Sequence, residues 1–143
     1  MLIYLDNCCF NRPYDDQKDL IIRLETESKL FVQEQIQLGI LDLVWSFVLD
    51  YENSKNPFLD KRERIGYWRN LAKTDCVLTE FIKDKAKELM LNFNLKQADA
   101  SHIACAIYAK AECFITTDKG ILKRNINEIK IVNPITFVQE YII

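Results

Sequence analysis

Three aspartates of this 143-residue chain stand where an α/β protein can carry out metal-dependent chemistry. Asp6 follows the apolar run of residues 2–5, and Asp118 follows an apolar run that begins at Cys113. Both runs are typical of buried strands in a parallel sheet, where ligand sites lie beyond the carboxyl ends of the strands. Asp99 lies near the start of an alanine-rich segment. Carboxylates that gather in one place repel each other, so a divalent cation between them is the obvious candidate.

Each of these acids also has a simpler interpretation. Asp6 and Asp118 directly follow strands, where aspartate is common as a turn residue or as the cap of the next helix. Asp99 is more informative, because the residues around it are apolar on nearly every face and predict a buried helix. A lone buried carboxylate is costly, so this acid should have a partner or bind a metal. The alternative is an acid that is stabilised only by the helix dipole.

A fourth acid comes from Asp50 or Glu52. The two lie on one predicted helix and project about 200° from each other, so only one can face the site. Glu52 lies one turn after Val48, which favours the inner face for Glu52 and the solvent for Asp50. The alternative is that Glu52 is a solvated helix acid.

His102 is the only histidine, which excludes a metal site with two histidines and a ribonuclease with a histidine pair. It follows Asp99 by three residues and so lies on a similar face of the helix. A supporting hydrogen bond to the site and a satisfied core position both stay open. The five cysteines form no Cys-x-x-Cys pair and predict reduced thiols in a cytoplasmic protein. Cys8 and Cys9 are interpreted as buried free thiols, since Arg12 follows too soon for a phosphatase-like nucleophile.

Composition and charge exclude several classes of fold and function. The length predicts a single domain over residues 1–143, and only three glycines and three prolines argue against an all-β fold and a glycine-rich phosphate loop. A net charge of −2 argues mildly against tight, non-specific binding to nucleic acid. No apolar run reaches the roughly 18 residues of a membrane span, and no leader is apparent, so we expect a cytoplasmic protein without membrane contact.

Strand-like and helix-like segments alternate along the chain. The predicted strands are residues 2–5, 40–45, 76–78, 113–117 and 129–132. The predicted helices lie within residues 20–38, 47–56, 58–71, 79–90 and 94–109 and after Asn133, with caps at Ser46, Thr79 and Asn133 and a capping box of Asn94 and Gln97. This alternation predicts a three-layer α/β/α fold with a central parallel sheet of about four or five strands. The carboxyl ends of the strands then share one edge, which brings Asp6 and Asp118 together.

Residues 55–73 carry basic side chains among aromatic ones. Such interleaving predicts contact with a single nucleic-acid strand, through phosphates and through stacking on the rings. Asp60 and Glu63 dilute the positive charge, and the alternative is an ordinary solvated helix face.

Taken together, these stretches resemble the PIN-domain nucleases over essentially the whole chain. That family has an acid after its first strand, an acid on the helix after its second strand, a helix aspartate in an Asp-Ala-x-x-Ala-like setting and an acid after its fourth strand. The matching positions here are Asp6, Glu52, Asp99 and Asp118. The chain departs from the family at Asn7-Cys8, where members commonly have Thr or Ser followed by Asn.

The resemblance implies a Mg²⁺- or Mn²⁺-dependent endoribonuclease, often the toxin of a bacterial toxin–antitoxin pair. It makes Asp6 and Asp99 the principal metal ligands, with Asp118 and Glu52 binding the ion directly or through water. Oxygen ligands suit these ions better than zinc. Further candidates that would contact substrate or support the ligands are Asn7, Thr117, His102 and Arg12. The implied partners are RNA, an antitoxin protein and a second copy of the chain.

Two other functions stay open. The first is a non-catalytic PIN-like module that binds nucleic acid or protein, which would bind metal without cleaving RNA. The second is a phosphatase-type enzyme in which Asp6 attacks phosphate. Enzymes of that class usually have another aspartate two residues after the nucleophile, where this chain has Cys8.

Overall fold

A five-stranded parallel sheet with β1 at its centre organises the chain. The computed structural model describes residues 1–142. The strands lie in the order β3-β2-β1-β4-β5, all parallel. They are β1 (Leu2–Leu5), β2 (Asp42–Ser46), β3 (Thr74–Cys76), β4 (Cys113–Ile115) and β5 (Lys130–Val132). The predicted α/β/α fold with a parallel sheet of four or five strands is confirmed.

Helices connect the strands and flank the sheet. They are α1 (Asn7–Asn11), α2 (Leu20–Gln37), α3 (Phe47–Ser54), α4 (Leu59–Gly66), α5 (Glu80–Phe93), α6 (Gln97–Tyr108), α7 (Lys119–Leu122) and α8 (Pro134–Phe137). Short 3-10 turns cover Arg12–Tyr14 and Tyr67–Leu71, and a π-helical turn covers Val138–Ile142. Helix α5 packs on α6, and α2 packs on α8. Within residues 1–142, no helix combines the length and the apolar character that crossing a membrane requires.

The three predicted single-residue caps are confirmed. Each accepts a backbone N–H from the first turn of its helix: Ser46 from Leu49 at 3.2 Å, Thr79 from Ile82 at 3.2 Å and Asn133 from Ile135 at 2.8 Å. Gly39, which follows the end of α2, has a φ of +75°, a left-handed conformation that glycine adopts without strain. Local hydrogen-bonding chemistry therefore sets these boundaries.

Two helix predictions are wrong in detail. Asn94 does not begin α6; it ends α5 in the left-handed conformation with a φ of +54°, which asparagine tolerates. The N-cap of α6 is Lys96, whose side chain makes no capping hydrogen bond. The helix predicted over residues 58–71 is divided, because α4 ends at Gly66 and the chain continues as the 3-10 turn Tyr67–Leu71.

Strand ends and one helix also differ from prediction. Strand β3 is Thr74–Cys76 rather than residues 76–78, and β4 stops at Ile115 rather than at residue 117. The register explains both limits, since each strand pairs only as far as its neighbour reaches. Helix α1 was not predicted; its five residues are too few to show a helical period.

Helix α2 buries an unexpected face. Its long apolar pattern predicts that the apolar residues face the core, yet Leu20 and Leu24 are 55% and 43% exposed. The buried face combines Val32 and Ile36 with polar residues, namely Glu25, Thr26, Lys29 and Gln33. Glu25 is stable in this position because its two oxygens accept hydrogen bonds from Arg12 and Asn133.

The register places the carboxyl ends of β1, β2 and β4 at one edge of the sheet. Leu5 pairs with Ile115, and the N–H of Asp6 donates to the carbonyl of Ile115 at 3.0 Å. Helices α1, α3 and α7 begin at this edge, and their N-caps are Asp6, Ser46 and Asp118. Helix α6 packs on β2 and β4, which brings its first turn to the same edge.

Candidate metal centre

Asp6 lies between β1 and α1 and is only 5% exposed. Its Oδ1 accepts the backbone N–H of Asn7 at 2.8 Å, so the capping role considered as its simpler interpretation is present. Its Oδ2 accepts the hydroxyl of Thr116 at 2.8 Å. Two donors therefore fix this carboxylate, and capping does not prevent it from taking part in a site.

Whereas Asp6 directly follows β1, Asp118 follows the end of β4 by three residues. Its Oδ1 accepts the N–H groups of Gly120 at 2.8 Å and Ile121 at 3.3 Å, so it too caps a helix. Its own N–H donates to the Thr116 hydroxyl at 3.0 Å. One hydroxyl therefore joins the loop of Asp118 to the carboxylate of Asp6, and the two acids share an edge as the alternation of strands predicts.

Asp99 lies in the first turn of α6 and is half-buried. Burial raises its pKa from 3.8 to about 6, and the charges of Asp6 and Asp118, and to a smaller extent Glu52, act in the same direction. Burial is the larger cause of this shift, and like charge adds to it. The structure therefore brings all four predicted acids within electrostatic reach of one another.

Glu52 reaches the cluster from α3. Its Oε1 forms a hydrogen bond with Nε2 of His102, which also lies 3.7 Å from Oδ1 of Asp6. The ligand atoms of these three residues all lie within 4.8 Å of one another. Asp50 turns away, because it accepts the Trp45 indole N–H at 2.8 Å on a partly exposed surface. The predicted division between the two acids of α3 is present in the structure.

A chain of hydrogen bonds supports His102 from behind. Nδ1 lies 2.6 Å from the Tyr4 hydroxyl, which lies 2.6 Å from the Ser46 hydroxyl. Tyr4 and Ser46 are fully buried, and the Tyr4 ring stacks on Phe114 at 5.2 Å between centroids. The imidazole is 1% exposed, so it is both a satisfied core histidine and a neighbour of the acids.

The acids also determine the charge preference of His102. Burial lowers its pKa, but the hydrogen bond to Glu52 and the charges of Asp6, Glu52 and Asp99 raise it more strongly, so the net shift is upward. Positive charge is therefore favoured at this point in the cluster.

Around Asp6, the polar support differs from the expected pattern. The Cys8 thiol lies 3.5 Å from Oδ2 of Asp6 and 3.4 Å from the Thr116 hydroxyl, and it accepts the N–H of Thr117 at 3.4 Å. The side-chain oxygen of Asn7 is buried without a hydrogen-bond partner. The Cys8 thiol thus lies beside Asp6 where a side-chain oxygen was expected. The side-chain oxygen of Asn7 is free to accept a hydrogen bond or to bind a ligand.

Arg12 belongs to another group of side chains. Its guanidinium donates to Glu25 at 3.0 Å and to Asp15 at 2.8 Å. In the part of the chain that the structure describes, no hydrogen bond joins it to one of the four predicted acids. Its contacts therefore connect the 3-10 turn after α1 to helix α2.

Sequence reasoning missed three residues of this centre: Tyr4, Ser46 as a partner of Tyr4, and Thr116. A signal for Tyr4 existed, since residues two apart on a strand share a face and Tyr4 precedes Asp6 by two. Thr116 follows from register, because it comes one step beyond the pair of Leu5 and Ile115. That register cannot be read from a single sequence.

A depression beside Glu52 extends the centre toward the basic segment. Its lining includes Asn7, Lys55, Phe58 and Lys61. The Lys61 ammonium lies 4.5 Å from the centroid of the Phe58 ring, and Phe58 is 59% exposed. Positive charge and an open aromatic face therefore lie next to the acids.

The donor set fits a divalent cation. Carboxylate oxygens are the ligands of hard divalent ions, and the charges of Asp6, Asp118 and Glu52 add to burial in raising the pKa of Asp99. The unpartnered oxygen of Asn7 is a further acceptor nearby. A donor set of oxygen alone does not describe the cluster, however, since Nε2 of His102 lies among the ligand atoms.

Comparison with known proteins agrees with this fold. The family model described as PIN domain matches residues 3–127. The crystal structure of FitAcB from Neisseria gonorrhoeae is similar with a TM-score of 0.61 at 14% identity, covering 92% of this chain and 97% of that chain. The crystal structure of VapBC2 from Rickettsia felis bound to a DNA fragment from their promoter has a TM-score of 0.60 at 12% identity, covering 93% and 98%. No curated protein matches the chain significantly.

Proposed function

The chain belongs to the PIN domain family, and we propose that it is a divalent-metal-dependent endoribonuclease that hydrolyses phosphodiester bonds of RNA. The observation that carries the proposal is the gathering of four acids from distant parts of the chain. Ligand atoms of Asp6 and Glu52 lie within 4.8 Å of each other, and the charges of Asp6, Glu52 and Asp118 all act on Asp99. Such crowding costs free energy in the absence of a cation, and perturbed acids of this kind concentrate at functional sites.

We assign the acids as ligands of Mg²⁺ or Mn²⁺. Asp6 and Asp99 would bind the ion directly, while Glu52 and Asp118 would bind it directly or through water. The ion supplies positive charge that lowers the pKa of an attacking water and offsets the charge of the scissile phosphate. Thr116 holds Asp6 in position through its hydroxyl. The oxygen of Asn7 and the neighbouring Thr117 are placed to orient water or a phosphate oxygen.

The substrate strand would lie along the depression beside Glu52. Lys55 and Lys61 supply positive charge for phosphates, and the exposed ring of Phe58 offers a face on which a base can stack. A local basic surface of this kind reconciles an RNA substrate with a net charge of −2. We therefore propose single-stranded or unpaired RNA as the substrate.

We further propose a cytoplasmic protein whose activity is held in check by a small antitoxin protein, with a homodimer as its assembly. This proposal comes from the resemblance to ribonuclease toxins. Growth arrest on expression, relieved by the product of a small neighbouring open reading frame, is the expected result. Growth that is unaffected by expression of the active enzyme would contradict it.

RNA cleavage by the purified chain tests the central proposal. The assay uses a pool of structured and single-stranded RNAs with Mg²⁺, Mn²⁺ or EDTA. Asp99→Asn and Glu52→Gln are purified in parallel, with Asp50→Asn as a matched control on the same helix as Glu52. We expect metal-dependent cleavage that both site variants lose and the control retains.

Other outcomes separate the alternatives. Equal cleavage by all variants would identify a contaminating nuclease and contradict the proposal. Metal binding without cleavage of any RNA would favour a non-catalytic binding module. Hydrolysis of a small phosphate ester, with phosphate trapped on Asp6, would favour the phosphatase-type enzyme.

A further inference from the structure

We propose that Nε2 of His102 is a direct ligand of the metal ion, so that the site selects Mn²⁺, and related transition-metal ions, over Mg²⁺. This inference rests on the proposed function, because it concerns the same cation. The assigned ligands of that function are carboxylates only. The new claim is a nitrogen donor and the change in metal preference that it produces.

The position of Nε2 is the first argument. It lies against Oε1 of Glu52 and 3.7 Å from Oδ1 of Asp6. With the two carboxylates it forms a group of three ligand atoms within 4.8 Å of one another. Ligands about 2.1 Å from one ion lie within about 4.2 Å of each other, so a small adjustment would let all three reach it.

The other ring nitrogen supplies the second argument. Nδ1 lies 2.6 Å from the Tyr4 hydroxyl, which lies 2.6 Å from the Ser46 hydroxyl. If Nδ1–H donates to Tyr4, the Tyr4 hydroxyl donates to Ser46, and the lone pair of Nε2 points at the carboxylates. Metal-binding histidines usually donate their other N–H in this way, which fixes the tautomer and the ring orientation.

Burial supplies the third argument. The imidazole is 1% exposed and makes an edge contact with the Tyr4 ring at 5.6 Å between centroids. The ring cannot turn away without breaking its hydrogen bond to Tyr4. A lone pair held against two carboxylates requires a positive partner, either a proton shared with Glu52 or a metal ion that takes its place.

The consequence is a preference among ions. Imidazole nitrogen is a ligand of first-row transition-metal ions, whereas Mg²⁺ prefers oxygen ligands and retains water in place of nitrogen. The surrounding carboxylates still suit the harder end of this series, which favours Mn²⁺.

Pulsed EPR of Mn²⁺ bound to the tag-free protein tests the assignment directly. His102 is the only histidine of the chain, so an imidazole ¹⁴N coupling to Mn²⁺ has one source and needs no variant for its assignment. We expect this coupling in the wild-type protein. We also expect Mn²⁺ to bind at least about tenfold more tightly than Mg²⁺ in calorimetric titrations.

Two variants sharpen the test. His102→Gln should abolish the ¹⁴N coupling and weaken Mn²⁺ binding by about 10- to 100-fold while changing Mg²⁺ affinity much less. Tyr4→Phe removes only the hydroxyl behind the imidazole and should weaken Mn²⁺ binding by about tenfold while retaining the coupling. Circular dichroism and thermal melting in EDTA verify that both variants are folded.

These measurements distinguish a failure of the nitrogen ligand from a failure of the proposed function. Mn²⁺ that binds without ¹⁴N coupling, or an Mn²⁺-to-Mg²⁺ affinity ratio unchanged in His102→Gln, overturns the nitrogen ligand and leaves the proposed function standing. Absence of binding by either ion contradicts both.

Discussion

Two clusters of charged side chains in this protein are balanced in different ways. In the first, which we call the α2 cluster, Glu25 is 3% exposed, and its two oxygens accept hydrogen bonds from Arg12 and Asn133. Arg12 also pairs with Asp15 at 2.8 Å. Every charge of this cluster has an opposite or polar partner, as buried charges require.

The second, which we call the rim cluster, consists of Asp6, Glu52, Asp99, Asp118 and His102. Four carboxylates gather there with one imidazole, and burial, with the added charges of Asp6, Asp118 and Glu52, raises the pKa of Asp99 to about 6. The side-chain oxygen of the neighbouring Asn7 has no partner. A satisfied cluster stabilises the fold, whereas an unsatisfied one leaves interactions open for a ligand. The contrast predicts that substitutions in the two clusters affect different properties.

Asp99→Asn should have the largest effect. Because even residues behind metal ligands contribute 10- to 100-fold, loss of a ligand should reduce metal-dependent RNA cleavage by more than about 100-fold. The same variant should be more stable than the wild type in EDTA at pH 7, by about 1–2 kcal/mol after allowing for solvent screening of a half-buried acid.

The direction of the Asp99 pKa shift determines how the stability of the wild type and of Asp99→Asn depends on pH. The folded protein holds the Asp99 proton up to a pKa of about 6 and the unfolded chain only up to 3.8. Between these values the folded state binds more protons, so the stability contribution of Asp99 is lost as the pH rises. Urea unfolding at pH 4.5 and pH 7.5 should show this loss in the wild type only. An equal pH dependence in both proteins would contradict the crowding of Asp99.

Glu25→Gln should have the opposite character. It leaves the half-buried Arg12 guanidinium with Asp15 as its remaining acid and removes the more buried of its two partners, which should cost about 2–3 kcal/mol in the free energy of unfolding. Cleavage per folded molecule should stay within about twofold, because the Glu25 carboxylate accepts its hydrogen bonds from Arg12 and Asn133, which lie outside the rim cluster. Glu27→Gln, at an exposed position on the same helix, is the control and should change neither property. A large loss of cleavage at full stability would refute the division between the clusters.

Two threonines, one beside each cluster, allow the same substitution to be compared in the rim cluster and in the α2 cluster. Thr116→Val removes the hydroxyl that holds Oδ2 of Asp6 and should weaken Mn²⁺ binding by about tenfold or more. Thr26→Val removes a hydroxyl that donates to the Arg12 carbonyl at 3.2 Å and should cost only about 1 kcal/mol of stability. Calorimetric titration and urea unfolding of both variants measure the two effects. Equal metal affinity in the two variants would show that Thr116 does not support the metal site.

Lys29→Met should change stability only, and in the stabilising direction. Lys29 is 4% exposed, with its ammonium 2.7 Å from the Gln33 side-chain oxygen, and burial lowers its pKa from 10.5 to about 8. The charged form therefore destabilises the fold at neutral pH, and the methionine variant should gain about 2 kcal/mol after loss of that hydrogen bond.

The lowered pKa of Lys29 likewise predicts a pH dependence of stability that can be measured. Between pH 8 and 10.5 the unfolded chain retains the Lys29 proton and the folded protein does not, so this contribution to stability increases with pH. The advantage of Lys29→Met should therefore shrink between pH 7 and pH 10, with the exposed variant Lys18→Met as control. A constant advantage would mean that the pKa of Lys29 is not lowered.

Local signals made much of the fold predictable. Apolar runs and cap residues gave the strands, their order along the chain and most helix starts, because these depend on side chains within a few residues of each other. The same signals failed at Asn94, whose left-handed conformation ends one helix rather than starting the next. They also failed for α2, where distant partners satisfy Glu25 and Thr26 on the buried face.

The sequence by itself determined the α/β class and the four candidate acids, because alternating elements put strand ends at one edge and apolar surroundings single out Asp99. Only the tertiary structure decided that Thr116 holds Asp6, that Arg12 belongs with Glu25, and that Tyr4 and Ser46 hold His102 among the acids. The physical reason is the separation along the chain of the residues that interact. Periodicity and capping are local, whereas these hydrogen bonds join residues up to 110 positions apart and depend on strand register.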